Sequence, residues 1–139
     1  MKKGFTLIEF VVVIIIIGIL ATMATTHYGA ARELTYDKMA QADLKLIRAA
    51  ERVYRMETNV YYLTGSPGSA TTTGNINQFL KLFLPTGNTR KWDYHTLAVA
   101  GGNCCAQASR FNGPARNWRI RIVRIPPPAD EEEPVQRTC

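Results

Sequence analysis

An unbroken apolar run, Phe10–Leu20, follows directly on an acidic residue, Glu9, and two lysines, Lys2 and Lys3, stand ahead of both. The wider stretch from Phe5 to Ala24 holds 20 residues. As a helix it would be about 30 Å long, the thickness of a bilayer's hydrocarbon core. Val11 to Ile17 are all β-branched, which in water favours a strand. In lipid an open strand leaves its backbone groups unsatisfied, so a helix is expected over residues 5–28. Lys2 and Lys3 place the amino end in the cytoplasm by the positive-inside rule, and the rest of the chain is then exported.

Three kinds of segment share this outline. A secretory signal has the basic start and the apolar stretch, with Ala24 as a weak cleavage position. A plain membrane anchor has the same parts. Neither explains Glu9, whose carboxylate costs on the order of 2–3 kcal/mol at a membrane helix centre and less near its end. The run Gly4-Phe5-Thr6-Leu7-Ile8-Glu9 resembles the prepilin signature of type IV pilins and type II secretion pseudopilins. The resemblance implies a four-residue leader (1–4), cut between Gly4 and Phe5 by a prepilin peptidase. It also implies N-methylation of Phe5 and a role in assembly for Glu9. Cutting exposes an amine on Phe5, one helical turn from Glu9. The acid then gains a partner, its own amine or a neighbouring subunit's, and pairing offsets much of the cost of both charges. Many members carry proline where this chain has Thr26. Without it a continuous helix is expected, although Thr25, Thr26 and Gly29 are weak helix formers.

The remainder, residues 29–139, reads as one small domain with an extended tail. Met39, Ala42, Leu46, Ala49, Ala50 and Val53 recur at spacings of three and four, the mark of a helix with one buried face. Arg32, Lys38, Lys45, Arg48, Glu51, Arg52 and Arg55 are the expected exposed residues. One helix should run from Phe5 to about Met56, roughly 78 Å. Asn59 to Arg90 reads as loop-rich, with turn chemistry at Gly65–Gly68 and Thr71–Gly74 and a short helix at Asn77–Leu84. Three strands follow, at Lys91–Val99, Asn103–Phe111 and Asn117–Ile125. Trp118, Ile120 and Ile122 should face inward and Asn117, Arg119 and Arg121 outward. Short turns at Gly101-Gly102 and Asn112-Gly113-Pro114 predict an antiparallel meander covering the helix. Helix followed by strands is an α+β order, and the resemblance implies the same fold: a long helix packed on a small antiparallel sheet.

The tail Pro126–Pro134 combines prolines with four successive carboxylates, Asp130–Glu133, and cannot continue a sheet. The carboxylates lack the spacing of a calcium loop. Cysteine stands at 104, 105 and 139. Pilins tether their C-terminal region by a disulfide, and by that resemblance Cys139 is expected to pair with Cys105, with Cys104 as the alternative. Neighbours on a strand point to opposite faces, so only one of the two can readily meet it. Closing about 35 residues would stabilise by roughly 4 kcal/mol in the chain-entropy model.

The formal charge is +6, compatible with anionic partners without requiring one. Arg110, Arg116, Arg119, Arg121 and Arg124 fall on the last two strands near Phe111 and Trp118. Arg116, Arg119 and Arg121 are the candidate DNA or anion contacts, although acidic neighbours in a filament are the more ordinary partners. Neither His27, expected at the membrane boundary, nor His95, expected on a strand surface, sits in a metalloprotease motif, and no nucleophile elbow, phosphate loop or dinucleotide loop occurs. No catalytic residue, metal or cofactor is expected. The reading is a structural subunit of a type IV pilus-like filament, drawn from the inner membrane by cytoplasmic ATP-driven machinery and ending in an extracellular or periplasmic filament of like subunits. Two alternatives stand beside it: a type II secretion pseudopilin, and a membrane-anchored binding module that never polymerises.

Overall fold

The computed structural model describes residues 5–65, 70–99, 103–122 and 134–136, with the backbone alone at 24–27, 70, 103 and 121. Its elements are α1 (Leu7–Thr58), α2 (Ala70–Leu80), β1 (Trp92–Val99), β2 (Asn103–Arg110) and β3 (Asn117–Ile122). The chain divides into two compact units, Met1–Asp37 and Lys38–Cys139.

In the first unit the helix has no tertiary support. Every described side chain from Phe5 to Met23 is exposed. The helical assignment runs through Thr25 and Thr26, although the helix is bent there. Among the described residues no single helix is long and apolar enough to cross a membrane, but Leu7–Met23 and Tyr28–Thr58 meet the requirement of length and composition as a bent pair.

In the second unit, Lys38–Thr58 of α1 packs on a three-stranded antiparallel sheet of order β1-β2-β3. Ala40, Leu44 and Ile47 of the helix are fully buried with Ala106, Ala108, Ile120 and Ile122 of the strands and Ile76 of α2. Three of the inward positions on β2 are small and buried (Cys104, Ala106 and Ala108). The three strands match the expected segments within a residue or two, apart from the end of β3, since 123–125 lie outside the described residues.

The buried face of the helix corrects the expected one. Met39, Ala42, Leu46, Ala49 and Val53 are exposed, and only Ala50 of that set is half-buried. The buried stripe is Asp37, Ala40, Leu44, Ile47 and Glu51, with Tyr54 half-buried. Its polar members, Asp37 and Glu51, hide it from a count of apolar residues alone. Of the side chains expected outside, Glu51 is fully buried and Arg48 and Arg55 are half-buried. The helix ends at Asn59, whose φ of 62° is left-handed and whose N–H bonds the Arg55 carbonyl at 2.8 Å, a conformation asparagine tolerates at a helix end.

The second helix is also displaced from the expected Asn77–Leu84. Thr72 and Thr73 are buried, and the Thr73 hydroxyl accepts the Tyr94 N–H at 2.9 Å. Tertiary packing thus makes a helix of a threonine run that reads locally as a loop. The helix stops at Leu80 because Asn77 captures the following chain. Its amide oxygen accepts the Leu84 N–H and its amide NH₂ donates to the Leu84 carbonyl, both at 2.8 Å. Leu84 is consequently buried and Phe83 is thrown outward, 98% exposed.

Both outer strands are covered. Thr64 and Thr96 exchange backbone and hydroxyl bonds of 2.9–3.2 Å along β1. On β3, Val135 and Arg119 exchange two backbone bonds of 2.9 Å.

Candidate functional site

The amino end of α1 is built as a capping box. The Thr6 N–H and hydroxyl both donate to Glu9 Oε2, at 2.8 and 2.7 Å, and the Glu9 N–H donates to Thr6 Oγ1 at 3.3 Å. Thr6 is the residue before the first helical turn and Glu9 its third position, the T-x-x-E arrangement that satisfies two orphan helix donors reciprocally. The T-x-x-E spacing is the sequence signal for this cap. The expectation that this acid lacks a partner until the leader is cut is therefore corrected, because Thr6 already holds it. The negative group also lies at the positive end of the helix dipole. Phe5, Ile8, Glu9, Val12 and Val13 line a shallow hollow of about 350 Å³, apolar except for the carboxylate. Phe5 itself is 72% exposed. Gly4 lies outside the described residues.

The cysteines separate by face. Cys104 points into the core as a buried free thiol, and burial with the nearby Glu51 carboxylate pushes its pKa up. That corrects Cys104 as a partner for Cys139. Cys105 lies on the opposite face, between Leu97 and Arg121 in register. Cys139 is outside the described residues.

The arginines do not form one patch. On β3, Arg119 is paired in register with Gln107 and Arg121 with Cys105. Arg110 takes an inward position opposite Trp92, stacks on that ring at 5.5 Å and donates to the Lys91 carbonyl at 2.9 Å. Arg116 and Arg119 are half-buried. Trp118 packs on the core, as expected. Arg124 and Asp130–Glu133 lie outside the described residues, as does the side chain of His27. His95 is on its strand but buried, not on the surface, and burial lowers its pKa.

Glu51 was not foreseen. It is fully buried, accepts the Tyr62 N–H at 3.0 Å, and its burial pushes its pKa up to about 7. Its helical spacing from Leu44 and Ile47 was the available signal.

The described residues thus combine a bare apolar helix with a capped acid at its start and a small α+β domain. The first 25 residues match the family model described as the prokaryotic N-terminal methylation motif. The chain is 35% identical over 60 residues to type II secretion system core protein G of Pseudomonas aeruginosa, 43% of this chain and 42% of that protein. It is 32% identical over 60 residues to the Pectobacterium carotovorum protein of that name, 43% of this chain and 38% of the relative. To the Aeromonas hydrophila protein it is 33% identical over 63 residues, 45% and 44% respectively. The chain spans less than half the length of the curated relatives it matches. No solved structure matches. The N-terminal motif and these partial likenesses support a relationship to the type IV pilin and type II secretion pseudopilin family.

Proposed function

We propose that this chain is a structural, non-catalytic subunit of a periplasmic filament of the type II secretion kind, a pseudopilin. Prepilin peptidase would release Phe5 for methylation, and inner-membrane machinery would draw the inserted subunit into the filament. The observation that carries the reading is the exposed apolar helix headed by a capped glutamate. Such a surface is stable in lipid before assembly and against like helices afterwards. The related proteins named above are all secretion proteins, which favours this reading over the surface pilus placed first on sequence grounds.

In the filament the Phe5 amine of a neighbour would enter the hollow beside Glu9, adding a charge partner to the Thr6 bonds. A subunit out of axial register leaves both charges unpaired. Cys105 is the cysteine left to tether the tail through Cys139. Thiol counting on the denatured, unreduced chain should find one thiol, and three would rule the tether out. The test of function is Glu9→Ala. A filament subunit should stay inserted and processed while filaments are lost, whereas a non-polymerising anchored module would behave as before.

A further inference from the structure

Between α1 and α2 the second unit carries an open groove of about 350 Å³. Its floor is Leu46, Ala49 and Val53, on the face of α1 turned away from the buried stripe, and all three are exposed. Its wall is aromatic, with Tyr54 and Phe79 both lining it. Phe79, 46% exposed, stacks on Tyr62 with ring centroids 4.5 Å apart, and Tyr54 meets Tyr62 edge-on at 6.0 Å. Tyr62 is itself pinned, because its N–H donates to Glu51 at 3.0 Å and its carbonyl accepts the Thr96 hydroxyl at 2.7 Å. The rings are therefore held in place before anything docks. A fixed, aromatic-sided slot suits an extended proline segment, whose shape is set in advance and costs little to order.

This chain contains such a segment. Pro126, Pro127 and Pro128 are followed by Ala129 and four carboxylates, Asp130, Glu131, Glu132 and Glu133. The charges at the groove complement it. Lys81 lines the groove, and Lys45 and Arg52 adjoin its floor residues Leu46 and Val53. All three bases are exposed, and Glu57 is the one acid among the lining residues. The segment's ends are fixed on β3, at Ile122 and through the pairing of Val135 with Arg119. The groove's other helix, α2, is bonded to β1 at the opposite edge of the sheet. Pro126 stands four residues beyond Ile122, a reach of about 13 Å. Its own groove lies two strand spacings away, about 10 Å, and then past α1, a helix about 10 Å across. A neighbouring copy's groove presents no such obstacle.

We propose that residues 126–133 of one copy dock in the groove between α1 and α2 of a second copy, prolines against Phe79 and Tyr54 and carboxylates toward Lys81. This docking rests on the filament reading and adds to it a contact between unlike surfaces of two folded domains. A head-to-tail contact leaves a groove free on one copy and a segment free on the other, so it can repeat from copy to copy.

The test uses two differently tagged full-length chains made together in membranes. One carries Ala49→Cys in the groove and the other Ala129→Cys in the segment. A mild oxidant should join them at least tenfold more than a control pair in which Asn88→Cys takes the place of Ala49→Cys. Heterodimer no higher than in that control would overturn the proposal. So would a chain carrying both substitutions that closes only on itself, since the occupant would then be its own segment. Lys81→Glu on the groove chain should lower the heterodimer severalfold, and Glu131→Lys with Glu132→Lys on the segment chain should restore it. No loss, or a loss that is not restored, would overturn the docking as well. Unchanged unfolding midpoints show that the variants fold. Filaments that depend on Glu9 but give no heterodimer would leave the filament reading standing and remove the docking. Heterodimer from a chain that builds no filament would do the reverse.

Discussion

The two units use one helix in opposite ways. From Phe5 to Met23 every described side chain is exposed, and the helix is held only by its own ladder and the Thr6–Glu9 cap. From Lys38 to Thr58 a stripe through Ala40, Leu44 and Ile47 is sealed against the sheet. The difference teaches that helicity and burial are separate requirements. The second unit meets both within one chain, while the first must find its apolar cover in lipid or in other subunits.

Truncation should expose this contrast most strongly. Leu44→Ala is expected to destabilise the second unit by about 2–5 kcal/mol, read as a lowered denaturation midpoint of the full chain in detergent micelles. Ile16→Ala in the first unit should leave that midpoint within about 0.5 kcal/mol. Equal effects would mean that the first unit has support not described here.

Titration comes next in size. Burial raises the folded pKa of Glu51 to about 7 from an ordinary 4.5, so the folded state binds more protons than the unfolded one between those limits. Stability should fall as pH rises through that window, reaching its full penalty above about 7, by on the order of 1–3 kcal/mol. Glu51→Gln should remove that slope and raise stability at neutral pH, because the amide oxygen can still accept the Tyr62 N–H. His95 acts in the opposite sense. Its pKa is lowered from 6.5 by burial, so stability should fall as pH drops below about 6.5. Urea melts of the two proteins between pH 4.5 and 8 separate these contributions.

A smaller effect is expected at the cap. Thr6→Ala should weaken the first turn by about 1 kcal/mol, seen as faster amide exchange at Leu7–Phe10 with no change in the second unit. The smallest is expected on the exposed face of α1. Leu46→Ala should alter monomer stability by no more than about 0.5 kcal/mol, although Leu46 is only two residues from Leu44.

That last pair shows how far the sequence could be read. The apolar block, the prepilin-like signature and the three strands were legible because each depends on local pattern. The phase of the helix was not. Two stripes of similar hydrophobicity run along Lys38–Thr58, and the buried one includes Asp37 and Glu51, whose cover comes from distant residues. Thr72 and Thr73 were likewise misread as loop, since their place depends on Tyr94, about twenty residues on. At the amino end the T-x-x-E spacing of Thr6 and Glu9 is likewise a local pattern, realised as a cap.

The most direct test is the intact mass of the mature chain recovered from filaments. The account predicts a mass matching N-methylated Phe5 through Cys139, with the exposed apolar helix retained as the assembling element. A mature chain starting near Thr25, with that helix removed, would contradict it.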